Sequence, residues 1–111
     1  MVAYVLVDVD VTDADRYDDY RALAAASVEQ HGGRYLVRGG ASEVLEGERQ
    51  PHRLVVLEFP DADAARGWYH SVEYGEAKAR RAGAATGSFI LVEGASVSEP
   101  GTPARSERPM E

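Results

Sequence analysis

Two short apolar runs, Tyr35 to Val37 and Leu54 to Leu57, are joined by a glycine-punctuated connection, and they constrain the fold more tightly than any other stretch. The first leads into Arg38-Gly39-Gly40 and the second into Glu58-Phe59-Pro60. Short apolar runs closed by glycine or proline are strand signals. Two in succession read as a long β-hairpin, on or beside which the remaining segments pack.

The flanking segments extend that pattern. Ala3 to Val11 alternates: Ala3, Val5, Val7 and Val9 point one way, Tyr4, Leu6, Asp8 and Asp10 the other. Thr12-Asp13-Ala14-Asp15 reads as a helix start with Thr12 as its cap and acids at the positive end of the dipole. Tyr17, Tyr20, Ala24, Val28 and His31 then recur at helical spacing until Gly32-Gly33 stops them. Arg34 to Arg38 is the second strand, Ser42 to Leu45 a possible short further strand, and His52 to Phe59 the third strand. Asp61 caps a second helix with Ala64, Ala65, Trp68, Tyr69 and Val72 as its stripe. A new turn starts at Ser71, and Tyr74, Ala77, Arg81 and Ala84 carry the helical pattern to about Ala85. The fourth strand is expected over Ser88 to Glu93. Residues 96–111 have almost no apolar content and are expected to be disordered, leaving one domain over residues 1–95.

The order β-α-β-β-α-β predicts an α+β fold of the ferredoxin-like kind. Its four-stranded antiparallel sheet has order 4-1-3-2, with both helices on one face. A chain of 111 residues suits one such domain. Its net charge of -7 repels phosphate backbones, so no nucleic-acid partner is expected. Lys78, Arg80 and Arg81 form the one basic cluster and read as a solvated helix end. The absence of cysteine removes disulfides and thiolate chemistry. The N-terminus lacks the basic region of a signal peptide, and no apolar run reaches the roughly 20 residues of a membrane span, so a cytoplasmic protein is expected. His31, His52 and His70 share no ligand spacing, and neither a metal nor another cofactor is expected.

Helices on one face leave the other bare. With the valine face of the first strand covered, Tyr4, Leu6, Leu54, Val56, Phe89 and Leu91 are expected on the open face. So large an apolar patch calls for a second copy packed sheet to sheet, a homodimer with a barrel-like core.

These residues resemble the DUF1330 family, uncharacterised proteins of the dimeric α+β barrel superfamily. The resemblance rests on Tyr4-Val5-Leu6-Val7, Tyr17 with Tyr20, Gly33 through Gly40, Val44-Leu45-Glu46-Gly47, Arg53 through Pro60, Trp68-Tyr69 with Ser71 and Tyr74, and Leu91-Val92-Glu93-Gly94. It implies the fold and the dimer. It implies no reaction, because the wider superfamily includes cofactor-free monooxygenases, haem-binding enzymes and isomerases.

The open face also carries Asp8, Glu58 and Glu93. Antiparallel pairing is expected to bring Asp8, Arg38, His52 and Arg53 to one mouth of the barrel, and Glu58 beside Tyr4 to the other. One reading is a pocket for a small carbonyl, phenolic or carboxylic compound. Arg38 or Arg53 would anchor an anion, Asp8 or His52 would move a proton, and Tyr4, Glu58 and Trp68 would line the site. The other reading is an ion-pair set that fixes hairpin and dimer. Trp68, Tyr69, Tyr74, Tyr17 and Tyr20 read as core and rim packing.

Overall fold

β1 (Ala3–Val11) is the strand on which the sheet is assembled, because it pairs along its length with two antiparallel neighbours. The computed structural model describes residues 1–95, so the tail expected at 96–111 lies outside the described residues. β3 (Arg53–Phe59) lies on one side of β1, β4 (Ala85–Glu93) on the other, and β2 (Arg34–Arg38) beyond β3. The order β2-β3-β1-β4 is the expected 4-1-3-2 read from the opposite edge.

The helices cover one face. α1 (Ala14–Gln30) is capped by Asp13, whose carboxylate accepts from the Arg16 backbone N–H at 3.2 Å. The expected cap, Thr12, does other work. Its N–H and Oγ1 both donate to the Ala84 carbonyl, which pins the end of β1 to the turn before β4. The second helical stretch is two helices. α2 (Ala62–Tyr69) ends at His70, and Ser71 caps α3 (Val72–Arg81) by accepting from the Tyr74 N–H at 3.0 Å. α3 runs against α1, and its Tyr74 and Arg81 reach Phe89 of β4. Gly83, at φ +80°, turns the chain, and β4 begins at Ala85, three residues before the expected Ser88. Ser42 to Leu45 is not a strand, and it faces solvent.

The core lies between helices and sheet. Val5, Val7, Val9, Val55, Leu57 and Phe59 meet Tyr17, Tyr20, Ala24, Val28, Trp68 and Tyr74. At its centre the indole Nε1 of Trp68 donates to Ser27 Oγ at 3.0 Å, and Ser27 Oγ donates to the Ala24 carbonyl at 2.7 Å. Ser27 is fully buried, so this hydroxyl satisfies the one polar atom that Trp68 brings inside.

The open face differs from expectation in one strand. Val5 pairs with Leu91 and Val7 with Phe89, and residues directly opposite in a sheet share a face. Phe89 and Leu91 therefore join the core, whereas Ile90 and Val92 lie outward with Leu6. Glu93 pairs with Ala3 and so also leaves the open face. The open face is Tyr4, Leu6, Val37, Leu54, Val56, Ile90 and Val92 with Asp8 and Glu58. Replacing Ser27 by alanine strands the Trp68 N–H in the core. The expected loss is about 1–3 kcal/mol of unfolding free energy, to be read from urea denaturation followed by Trp68 fluorescence.

Candidate functional site

The four residues expected at one mouth of the sheet fall on two faces. Asp8 points outward, 13% exposed, and is held by the hairpin connection: Arg49 Nη2 donates to it at 2.9 Å and the His52 backbone N–H at 2.9 Å. The His52 ring is more distant, its nitrogens 3.8 Å from Asp8 and Asp10, and is more than half exposed. His52 thus serves Asp8 through its backbone. The His52 N–H is the main cause that draws the Asp8 carboxyl below its ordinary value, and the Arg49 guanidinium adds to it. At the far end of this face Glu58 accepts from Arg34 Nε at 2.6 Å and pairs across the ladder with Tyr4.

Arg53 and Arg38 lie on the covered face. Arg53 opposes buried Val9 and Arg38 opposes Val55, so both turn toward the helices. Their guanidinium carbons sit over tyrosine rings, Arg38 at 4.2 Å from the Tyr35 centroid and Arg53 at 5.9 Å from that of Tyr17. Between α1 and the sheet they border a cleft with Tyr17, Tyr20, Arg21 and Tyr35, backed by Trp68 and Phe89. The cleft spans about 430 Å³ with its open side included, and its enclosed part is about 30 Å³, room for one or two waters.

Arg81 stands behind the same wall. Its guanidinium carbon is 4.7 Å from the Phe89 centroid and 5.6 Å from that of Tyr20. The Tyr20 and Tyr74 hydroxyls meet at 2.8 Å beside it. Burial pushes both phenols up from their ordinary value, and Tyr35 with them, so all three stay protonated at neutral pH.

The cleft is rich in donors and poor in acceptors. Among the described residues, Arg38, Arg53 and Arg81 pair with no carboxylate, and Arg53 Nε and Arg81 Nη1 are buried without a hydrogen-bond partner. Buried guanidinium N–H groups normally find an acceptor. Of the expected site residues, the structure brings Arg38, Arg53 and Trp68 together here and leaves Asp8, His52, Tyr4 and Glu58 on the opposite face. Tyr17, Tyr20, Tyr35, Tyr74 and Arg81 were not expected in a site. Their signal was an arginine, Arg81, recurring on an otherwise apolar helical stripe.

A four-stranded antiparallel sheet with helices on one face defines a small α+β domain of the ferredoxin-like class. Within that class the chain belongs to the DUF1330 family, a domain of unknown function, whose model matches residues 2–95. No curated protein matches the chain. Solved structures share its fold. A protein of unknown function from Rhodopseudomonas palustris is 20% identical with a TM-score of 0.69, over 86% of this chain and 83% of that one. A dimeric ferredoxin-like protein of unknown function from Jannaschia sp. CCS1 is 14% identical with a TM-score of 0.63, over 85% of this chain and 100% of that one. SnoaB, a cofactor-independent oxygenase from Streptomyces nogalater, is 17% identical with a TM-score of 0.52, over 86% of this chain and 93% of that one.

The lowered Asp8 value fixes a sign. A carboxyl more acidic in the folded chain stabilises it above the unfolded value, and that stabilisation is lost as pH falls through the native value. Asp8→Asn is expected to be less stable at neutral pH and to show a shallower acid limb below about pH 4, measured as thermal midpoints across a pH series.

Proposed function

We propose that this protein is a homodimeric, cofactor-independent enzyme whose arginine–tyrosine cleft binds a compact phenolic, carboxylic or carbonyl compound through its oxygen. The observation that carries this reading is that Arg53, which lines the cleft, has its Nε buried without a hydrogen-bond partner and pairs with no carboxylate among the described residues, while Arg81 behind the wall leaves a second buried N–H unpartnered. An oxygen anion is the complement of such a wall, and guanidinium and tyrosine suit a planar one. Arg21 and Arg38 are exposed and form the rim, and a ring larger than the enclosed void enters only if these side chains swing aside. SnoaB, a cofactor-independent oxygenase of the same fold, supports the enzymatic side of the reading. A binding module that holds the same compound without turnover is the alternative, and product formation separates the two.

Trp68 is the sole tryptophan and lines the cleft, so it reports occupancy. Benzoate and salicylate are expected to change its fluorescence and raise the thermal midpoint. Arg53→Met is expected to weaken either anion about 10- to 100-fold, the range of a charged hydrogen bond. Saturating amounts of both anions with no change in fluorescence or midpoint would sink the reading.

The dimer rests on the open face, where Leu6, Val37, Ile90 and Val92 are each at least 40% exposed. A contiguous apolar surface of this kind favours burial against a second copy. The solved proteins from Jannaschia and from Bacteroides fragilis are described as dimeric, which accords with it. By light scattering the protein is expected to be a dimer. Leu6→Asp, which places a charge at the middle of that face, is expected to be monomeric or unfolded; an unperturbed Leu6→Asp dimer would show that the copies meet elsewhere.

A further inference from the structure

We propose that Tyr20, positioned by Tyr74, presents a phenolic O–H to the ligand oxygen, so that the wall bounded by Tyr20 and Phe89 is an oxyanion hole. Resting on the reading of the cleft as a binding site, this narrows the ligand to an enolisable carbonyl compound or a phenol held as its oxyanion.

The argument begins with a count of hydrogens. Two phenols that share one hydrogen bond use one O–H between them and leave the other hydrogen to place. The two hydroxyls make no other hydrogen bond among the described residues. Both tyrosines are buried, at 7% and 0% exposure, so the protein surface leaves little room for an acceptor beside them. Tyr20 lines the cleft and Tyr74 does not, which makes Tyr20 the member that can aim its hydrogen at an occupant while Tyr74 holds its oxygen.

The surroundings suit a donor that keeps its proton. Desolvation dominates the Tyr20 environment and favours the neutral phenol. Arg81 adds a fixed positive charge beside the Tyr20 ring, with one buried N–H still to be satisfied. A neutral phenol that donates where charge develops on oxygen stabilises an enolate or phenolate more than its neutral parent, and the Arg81 charge behind the ring adds a longer-range attraction. The phenol does so without reorganisation, since it is already held in the core. An aliphatic carboxylate carries its charge before and after binding and gains no such differential stabilisation.

The test uses 4-nitrophenol, whose phenolate is visible by absorbance, and benzoate as the reference anion. The wild type is expected to bind 4-nitrophenol with its ionisation shifted to lower pH than in free solution. Proton NMR of that complex is expected to show a strongly deshielded hydroxyl resonance from the phenol–phenolate hydrogen bond. Tyr20→Phe is expected to lose the resonance and bind the phenolate at least tenfold more weakly, while benzoate affinity changes little. Tyr74→Phe is expected to retain the resonance at a shifted position. Near-UV circular dichroism verifies that each variant is folded. Persistence of the resonance in Tyr20→Phe, or unchanged phenolate affinity there, overturns the oxyanion hole. Wild-type protein that binds benzoate and not 4-nitrophenolate overturns it too, while leaving the cleft reading intact. Protein that binds neither overturns both.

Discussion

The parity of β1 is the constraint on which everything else rests. This strand is paired on both sides, so each of its residues commits a partner in β3 and another in β4 to the same face. Val5, Val7 and Val9 go under the helices and take Leu57, Val55 and Arg53 with them from β3, and Leu91, Phe89 and Gly87 from β4. Leu6 and Asp8 go outward and take Val56, Leu54, Ile90 and Ser88. A slip of one residue would exchange the two sets and put Arg53 in solvent and Asp8 in the core. One alternation therefore separates the exposed apolar face from the cleft lined by arginines and tyrosines.

The covered side carries three arginines, Arg38 exposed and Arg53 and Arg81 part-buried, that pair with no carboxylate among the described residues. A part-buried ion without a partner is costly, and the fold offsets that cost by laying guanidinium groups over aromatic faces. Arg38 lies on Tyr35, Arg53 near Tyr17, and Arg81 on Phe89 and near Tyr20. Stacking satisfies the flat face of a guanidinium and leaves its edge, where the N–H groups are, without acceptors. In a chain of net charge -7, carboxylates to pair with those edges are plentiful, yet they lie elsewhere: Asp8 on Arg49, Glu58 on Arg34, Asp63 on Arg66. The separation of sign is spatial, with the carboxylate pairs on the outside and the unpaired arginines on the covered side.

Element order, sheet order and the valine face were legible because they rest on local periodicity and on short connections. Arg53 was expected beside Asp8, although it alternates in phase with Val55, Leu57 and Phe59 and the strand pattern alone would have put it on the covered face. Arg38 had no such signal. A bulge between Tyr35 and Val37 inserts Leu36, so Tyr35 and Arg38, an odd number of residues apart, emerge on the same face. The phase of β4 was hidden for a related reason. Phe89, Ile90, Leu91 and Val92 are all apolar, and such a run does not state which alternate members are inward until pairing with β1 decides it. Pairing between distant tyrosine hydroxyls, Tyr20 with Tyr74, is tertiary and leaves no mark on either local pattern.

The hairpin exit shows how closely backbone and cleft are coupled. Gly39 takes φ +76°, a value open to glycine, and its N–H donates to the Leu54 carbonyl at 2.8 Å. A Cβ on the same backbone would overlap the Arg53 guanidinium. The glycine thus does two things at once: it turns the chain out of β2, and it leaves the space that Arg53 fills. From there the connection runs to Arg49 and His52, which clasp Asp8 on the opposite face. One segment therefore touches the cleft at its start and the open face at its end.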